Sequence, residues 1–427
     1  MELAGATEVA ARLREGGERL AADLSVWRRR IHRRPGLGFD VKETADFAAE
    51  LLADWGYRVE RGVGRTGVKA VLSGLAEPEG HSAATAVRTV LLRADMDGLP
   101  LAEDTGLAFA SEIPDRMHAC GHDMHVASVL GAAYLLSGLR ERLSGAVVIA
   151  LQPAEEGPGG AEPMIEDGLL ESPHVDRAFM LHVQGGLLAG QIGVPQGFAA
   201  ANCDDFEIEI RGQGAHGSQP HRGTDAILVA GHLVAALQSI VARNVDPARA
   251  AVVTLGTVHG GDNSNILADR VTLTGTLRSF HDDVREALRE RTARVARDVA
   301  AAFGAEATLS LHPGYPAFRN DPEAASVLLQ AARWLYGPDA AVPVQEESLG
   351  AEDFAYIGRA VPSAIGALGV ADQTPGDRGH VHTRAFRPEE RALPVGAATL
   401  ALATWISLQD DASVGQAKGR EGRVRRA

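Results

Sequence analysis

The sequence predicts an α/β protein: a mixed, mainly parallel sheet flanked by helices and interrupted by a separate α+β insertion. Three observations lead there. The chain has 427 residues, too many for one core of ordinary size, so two domains are expected. Short continuous apolar runs suit strands buried on both faces, and helical stretches lie between them. After about residue 197 the runs give way to strict alternation, as in CDDFEIEIRGQGAHG, the pattern of half-exposed antiparallel strands.

The N-terminal stretch MELAGATEVAARLREGGERL carries acidic and basic residues at helical spacing and has no apolar core segment, which argues against a secretory signal. ETADFAAELLADW (43–55) is a helix by its apolar spacing, stopped by Gly56. YRVERG and VKAVLSG follow as short strands, and AEPEGHSAATA (76–86) reads as a surface loop. RTVLLRADMDG is an apolar run ending in Asp95 and Asp97, VASVLGAAYLLSGLRERL (126–143) a helix, and AVVIALQPAEEGPGG (146–160) a run ending in Glu155 and Glu156. RAFMLHVQGG (177–186) is a run ending in His182. Ligands of α/β sheets bind beyond the carboxyl ends of the strands, and three strands here deliver a metal-capable group to that end.

Helices at 224–244 and 282–303, with strands in CDDFEIEIRG, AAVVTLGTVHGG, DRVTLTGTLRSF and AEATLSLH, give the order β-α-β-β-α-β of a ferredoxin-like domain. The expected division is a first domain over 1–196, an insertion over 197–313, a return to the first domain over 314–409 and a flexible tail over 410–427. The returning segment holds a helix at 322–336, the EESLGAEDFAYIG stretch and a last helix, RALPVGAATLALATWISL. There are no internal repeats.

Hydrophobic residues make up 45% and charged residues 23% of the chain, as in soluble globular proteins. A net charge of −14 argues against nucleic acid or an anionic membrane as partner. No stretch of about 18 apolar residues is expected to span a membrane. Two cysteines, Cys120 and Cys203, exclude a disulfide framework and suit a reducing compartment, so a cytoplasmic location is expected.

MHACGHDMH (117–125) packs three histidines, a cysteine and an aspartate together. Cys120 and His122, two apart before a helix, can face the same way, and Glu156 and His182 are expected beside that helix start. Thiolate, imidazole and carboxylate together suit zinc, and also Mn, Co, Ni or Fe. The chain has no CxxC pair, the usual mark of a structural zinc site. It has instead the adjacent pair Glu155–Glu156 followed by Gly-Pro-Gly-Gly. One carboxylate can bind metal while the other faces water, which is what metal-assisted hydrolysis needs: the metal lowers the pKa of bound water toward ~7 and a free carboxylate takes its proton. An isolated Glu pair is more often a solvated charge pair, but this one ends a buried apolar strand. Asp123 is expected to order the N-terminus of the following helix, and His118 and His125 carry no assigned role.

WRRRIHRRPGLGF, LLRADMDGLPLAEDTGLAFAS, MHACGHDMHVASVLGAA, LQPAEEGPGGAEPMIEDGLL, LHV, GQGAHGSQPHRGTDAI, GGDNSNILADRVTLTGTLRSF, LGAEDFAYI and VHTRAF span nearly the whole chain. In this order they resemble the dinuclear-metal aminoacylase and carboxypeptidase superfamily, and within it the amidohydrolases that include hippurate hydrolases and indole-acetyl-amino-acid hydrolases. The resemblance implies a zinc-exopeptidase-like catalytic domain with an inserted lid and dimerisation domain. It implies two divalent metal ions per subunit (Zn, Mn, Co or Ni), held by Cys120, His122, Glu156, His182 and His382, with Glu155 as general base and proton donor to the leaving amine. His382 is preferred to His380 because it precedes the TRAF segment. Asp97, with Asp95 as a second candidate, looks like a residue behind the ligands.

His216 resembles the residue that reaches into a neighbouring subunit's site to stabilise the oxyanion, and Asn265 and Arg278 match residues that hold substrate, Arg278 through a bidentate grip on a carboxylate. Blander roles are open for these: a turn cap for His216, pairing with acidic residues at 282–288 for Arg278. The implied activity is hydrolysis of the amide of N-acetyl, N-benzoyl or aryl-acetyl amino acids by a homodimer or tetramer. A dipeptidase or carboxypeptidase of the same superfamily is the nearest alternative. A catalytically silent metal-binding protein is another, against which the presence of Glu155 argues. Two positions depart from the family pattern: Gly36, where Glu is usual, and Met124, where a small residue is usual, which could narrow the site's surroundings.

Overall fold

The computed structural model describes residues 5–76, 88–344 and 349–409. Most of the expected surface loop at 76–86 and all of the tail at 410–427 lie outside them. In chain order the elements are α1 (Ala6–His32), α2 (Lys42–Asp54), β1 (Arg58–Val63), β2 (Gly67–Ser73), β3 (Thr89–Asp95), α3 (His122–Ser137), β4 (Ala146–Gln152), α4 (Ala161–Glu166), β5 (Arg177–Leu188), β6 (Ile192–Pro195) and β7 (Phe198–Ala200). They continue with β8 (Asn202–Arg211), α5 (Ala226–Asn244), β9 (Ala251–Gly260), β10 (Arg270–Ser279), α6 (Asp282–Ala302), β11 (Glu306–Pro313), β12 (Phe318–Arg319), α7 (Pro322–Tyr336), β13 (Ala341–Val344), α8 (Phe354–Ala360), β14 (Ser363–Ala371) and α9 (Ala392–Gln409).

The chain divides into two compact units. The first comprises Met1–Gly197, Asn320–Glu346 and Tyr356–Ala427, and the second Phe198–Arg319 with Glu347–Ala355. The second therefore extends to Arg319, past the expected limit of 313, and takes in a later segment as well.

The first unit is built on an eight-stranded sheet in the order β1-β2-β4-β3-β5-β14-β6-β13. Its central pairs, β4 with β3, β3 with β5 and β5 with β14, are parallel, while β1–β2, β2–β4 and β14–β6 are antiparallel. β3 and β4 are buried along their whole length, as apolar runs in a sheet covered on both faces must be. Helices α1, α3, α7 and α9 pack on one another in the same core. Nearly all of α3 is buried, which explains why its apolar residues run all round the helix rather than along a stripe. Met124 is fully buried among these core residues.

The second unit has a four-stranded antiparallel sheet in the order β11-β8-β10-β9. β8 buries Phe206, Ile208 and Ile210 in strict alternation, and α5 lays Ala226, Val229, Ala230, Leu233, Leu237 and Ile240 into the same core. Asp225 caps α5 by accepting from the Ile227 and Leu228 amides at 2.9 and 3.3 Å. This is the ferredoxin-like β-α-β-β-α-β arrangement.

Two expectations need correction. By length and composition, α5 and α9 are each apolar enough to cross a membrane. In α9 nearly every residue is buried within the first unit, so its apolarity serves the core; α5 buries one face and leaves Ile227 and Leu228 exposed.

Asp123 does not cap α3, whose N-cap is Gly121 with no side-chain bond. It is wholly buried and binds back to α1, accepting from Arg28 Nε at 2.8 Å and from His32 Nδ1 at 2.9 Å. Glu103 lies 3.2 Å from the other nitrogen of His32. Burial opposes protonation of His32, but Asp123 and Glu103 win and raise its pKa from 6.5 to about 9. Because the folded value is raised, the stability from this ion pair is complete below pH 6.5 and lost as pH climbs through about 9. Denaturant melts of wild type and His32→Gln, compared from about pH 6 to about pH 10, should show a stability gap that closes over that window. A gap independent of pH would show that the pair is not ionic.

Candidate metal centre

The site lies within the first unit, at the carboxyl ends of β3 and β4 and beside His182 in the middle of β5. Cys120 and His122 come from the turn into α3, Glu155 and Glu156 from the loop after β4, and His182 from β5. His382 comes from the loop between β14 and α9. Around Cys120 Sγ, His182 Nε2 stands at 3.4 Å and His382 Nε2 at 3.3 Å, and His382 Nε2 is 2.9 Å from Glu156 Oε1. The ligand atoms of Cys120, His122 and His182, those of Cys120, Glu156 and His382, and those of His122, Glu155 and Glu156 each fall within 4.8 Å of one another. Residues from four places in the sequence thus meet at one spot. His382 occupies it; His380 is seen in its carbonyl bond to Thr383 Oγ1.

The backbone holds this geometry by specific devices. Asp97 accepts from the Glu155 amide through Oδ1 at 3.0 Å and from the Glu156 amide through Oδ2 at 3.1 Å, so it orders the two-carboxylate turn. Ala154, just before it, has φ 60° and donates its amide to Gly38 O at 3.1 Å. Gly36 accepts from the Gly98 amide at 2.7 Å, and a Cβ at Gly36 would lie 2.0 Å from Asp40 O. At Gly36, where the sequence departs from the expected pattern, the chain closes a tight glycine loop whose carbonyls accept from Gly98 and Ala154, beside Asp97 and Glu155. His382 has φ 63° and is fixed there by its amide, which donates to Ala119 O at 2.8 Å.

Several features fit a cation. Both nitrogens of His122 are buried without a hydrogen-bond partner, an expensive state unless something binds them; Asp95 Oδ2 and Asp97 Oδ1 stand 3.5 and 3.6 Å away. His182 donates Nδ1–H to Val183 O at 2.8 Å, which leaves Nε2 with its lone pair toward Cys120. Burial, helped by the neighbouring His125, pushes His182 down to about 3, so it is a neutral ring. Burial raises the Cys120 thiol above its ordinary value against the pull of His122 and His382, and a divalent cation is what would hold it as thiolate. His382 is raised to about 10 by its hydrogen bonds to Cys120 and Glu156. Thiolate, imidazole and carboxylate donors in this number match borderline-soft divalent metals.

The other expected site residues, His216, Asn265 and Arg278, belong to the second unit. His216 Nδ1 accepts from the amide and hydroxyl of Ser218 at 3.1 and 2.9 Å, which puts the ring hydrogen on the exposed Nε2. The neighbouring Gly217 amide donates to Asn265 O at 2.7 Å, so the two loops are joined through their backbones. Arg278 Nη1 donates to Leu349 O at 2.9 Å; no pairing with the 282–288 acids is seen among the described residues. Sequence reasoning gave His125 no role; it is bonded at 2.6 Å beneath the centre to Asp95, the second candidate behind the ligands. The spacing of His125, one turn of α3 after His122, carried that signal.

Gly121 separates the Cys120 and His122 side chains with φ 81°, and a Cβ there would sit 2.6 Å from Val183 Cγ2. Gly121→Ala is therefore expected to cost about 1–2 kcal/mol for the left-handed backbone alone. It should also lower metal content, because the strand carrying His182 must shift. Thermal melts and elemental analysis of the purified variant check both; wild-type metal content would show that this close approach is not needed.

Residues 91–405 match the family described as peptidase family M20/M25/M40, well over half of the chain. An N-acetyl-L-cysteine deacetylase of Bacillus subtilis is 37% identical over 366 residues, covering 86% of this chain and 83% of that protein. Thermostable carboxypeptidase 1 of Saccharolobus solfataricus is 35% identical over 379 residues, 88% of this chain and 93% of that one. A Bacillus subtilis crystal structure, described as a dinuclear metal binding peptidase from the M20 family, superposes with a TM-score of 0.77 at 32% identity and covers 92% of this chain and 99% of that one. The chain belongs to peptidase family M20/M25/M40.

Proposed function

We propose that the protein is a metal-dependent amidohydrolase that cleaves N-acyl amino acids to a carboxylic acid and a free amino acid. The observation that carries this reading is the meeting of Cys120, His122, Glu156, His182 and His382 around one point with Glu155 on the same Asp97-ordered turn. Those five residues would hold two divalent ions, Zn, Mn, Co or Ni, as the dinuclear relative and the donor set suggest. When bound, such ions polarise the amide carbonyl and lower the pKa of water.

The protein's own residues supply the rest. Glu155 accepts the proton of the attacking water and returns it to the nitrogen of the departing amino acid. Asp97 orders the turn that carries Glu155 and Glu156 by accepting from both of their amides. His216, with Nε2–H free to donate, is suited to the oxyanion of a neighbouring subunit's site, and Arg278 and Asn265 to the substrate's carboxylate. We place the second unit as the lid and dimer contact. Its edge strand β9 exposes Val258 and α5 exposes Ile227 and Leu228, an apolar edge that a second copy would cover. A reducing, cytoplasmic setting suits a site built on a free thiol.

Similarity to a protein named as a deacetylase of N-acetyl-L-cysteine supports acyl amino acids as substrates, and similarity to one named as a carboxypeptidase supports peptides. A screen of N-acetyl, N-benzoyl and indole-acetyl amino acids against dipeptides and longer peptides separates them. Peptide cleavage with no turnover of any acyl amino acid would overturn the proposal in favour of a peptidase. Glu155→Gln should retain two metal equivalents by elemental analysis while kcat falls about 10²–10⁴-fold, the worth of a positioned proton carrier. Undiminished kcat would remove Glu155 from the mechanism.

A further inference from the structure

His125 lies one helical turn beyond His122, buried beneath the centre, and both of its ring nitrogens are engaged. Val183 donates its amide to Nε2 at 3.0 Å, so Nε2 is the acceptor and the hydrogen sits on Nδ1. That Nδ1–H donates to Asp95 Oδ1 at 2.6 Å. With both nitrogens used, His125 is not itself a ligand.

What it joins is informative. The other oxygen of Asp95 accepts from the buried Arg93 Nη1 at 2.7 Å and stands 3.5 Å from His122 Nε2. On the opposite side, the residue whose amide His125 holds is the one whose carbonyl accepts His182 Nδ1–H at 2.8 Å. One rigid ring therefore ties the carboxylate behind His122 to the Val183 backbone that sets the His182 ring. We propose that His125 is a positioning residue that fixes His122 and His182 relative to each other, so that both present lone pairs to the same metal centre. This inference rests on the metal-centre reading above. It follows from the general rule that the groups lying behind histidine ligands help set their orientation.

An imidazole suits this task because it offers a donor and an acceptor on opposite edges of one inflexible plane. An Asn amide in its place reproduces the donor to Asp95 but does not reach Val183, and a Gln amide reaches Val183 at the expense of Asp95.

The test uses the full chain loaded with Co²⁺, whose visible spectrum reports ligand geometry and thiolate bonding. Wild type, His125→Asn, His125→Gln and His125→Ala are titrated with the metal and their spectra and steady-state kinetics compared. Expected are a loss of cobalt affinity of about tenfold in the Asn and Gln variants and about a hundredfold in Ala, with altered d–d bands and kcat reduced more than KM is raised. Asn and Gln keep the question open to refutation if Ala does not fold. Wild-type affinity and spectra in folded Asn and Gln variants would overturn the coupling while leaving the metal centre standing. A wild type that takes up no cobalt overturns the metal-centre reading, and this proposal with it.

Discussion

The Asp97 carboxylate, which takes the amides of both Glu155 and Glu156, is the interaction on which the candidate chemistry depends. Adjacent residues in a loop have no intrinsic reason to aim one carboxylate at a metal and the other at water. Two hydrogen bonds to one planar acceptor fix the backbone of the turn from which both side chains start. Asp97 itself sits just past the end of β3, whose pairing with β4 ends at Asp95 and Gln152. The parallel register of two buried strands thus places donor and acceptor at one level, and the hydrogen bonds do the final orientation.

Around this lies an unusual amount of buried charge. Asp95, Asp123, Arg28 and Arg93 are all essentially inaccessible. Desolvating such groups costs several kcal/mol each unless they are paired, and each here has a charged or hydrogen-bonded partner: Arg93 with Asp95, Arg28 and His32 with Asp123. A set of this kind adds little net stability over apolar packing, but it fixes geometry, because a displaced partner leaves a bare charge. The two networks meet either side of the α3 N-terminus: Asp95 stands behind His122, and the next residue, Asp123, is anchored to Arg28 and His32 of α1. That placement makes them the scaffold of the metal-capable turn rather than a general device of the fold.

Much of the architecture was legible in the chain. Buried strands β3, β4 and β5 announced themselves as apolar runs, and α2, α5, α6 and α7 by helical spacing, with edges falling within a few residues of those read from the sequence. The strands that went unread share a physical cause. β6, β7, β12 and β13 have four residues or fewer, too short for any period to register. β14 is longer and is followed by Asp372 and Gln373, but its SAIGALGVA run is broken by two glycines, so no period marks it. The chain's return to the second unit at 347–355 also has no local signal, since it depends on packing alone.

By itself, the sequence determined which side chains could do chemistry: a thiol and an imidazole two residues apart, a carboxylate pair after an apolar strand, a histidine on the next one. Those are facts of residue type and strand polarity, and they survive into the structure unchanged. Only the tertiary structure decided how each is held. It turned Asp123 from an expected helix cap into the buried partner of Arg28 and His32, brought His382 from 262 residues away to within 3.3 Å of Cys120, and gave His125 two partners on different strands. Hydrogen bonds between segments distant in sequence leave no periodic trace, because their partners are set by the register of the sheet and the packing of α3 rather than by any spacing along the chain.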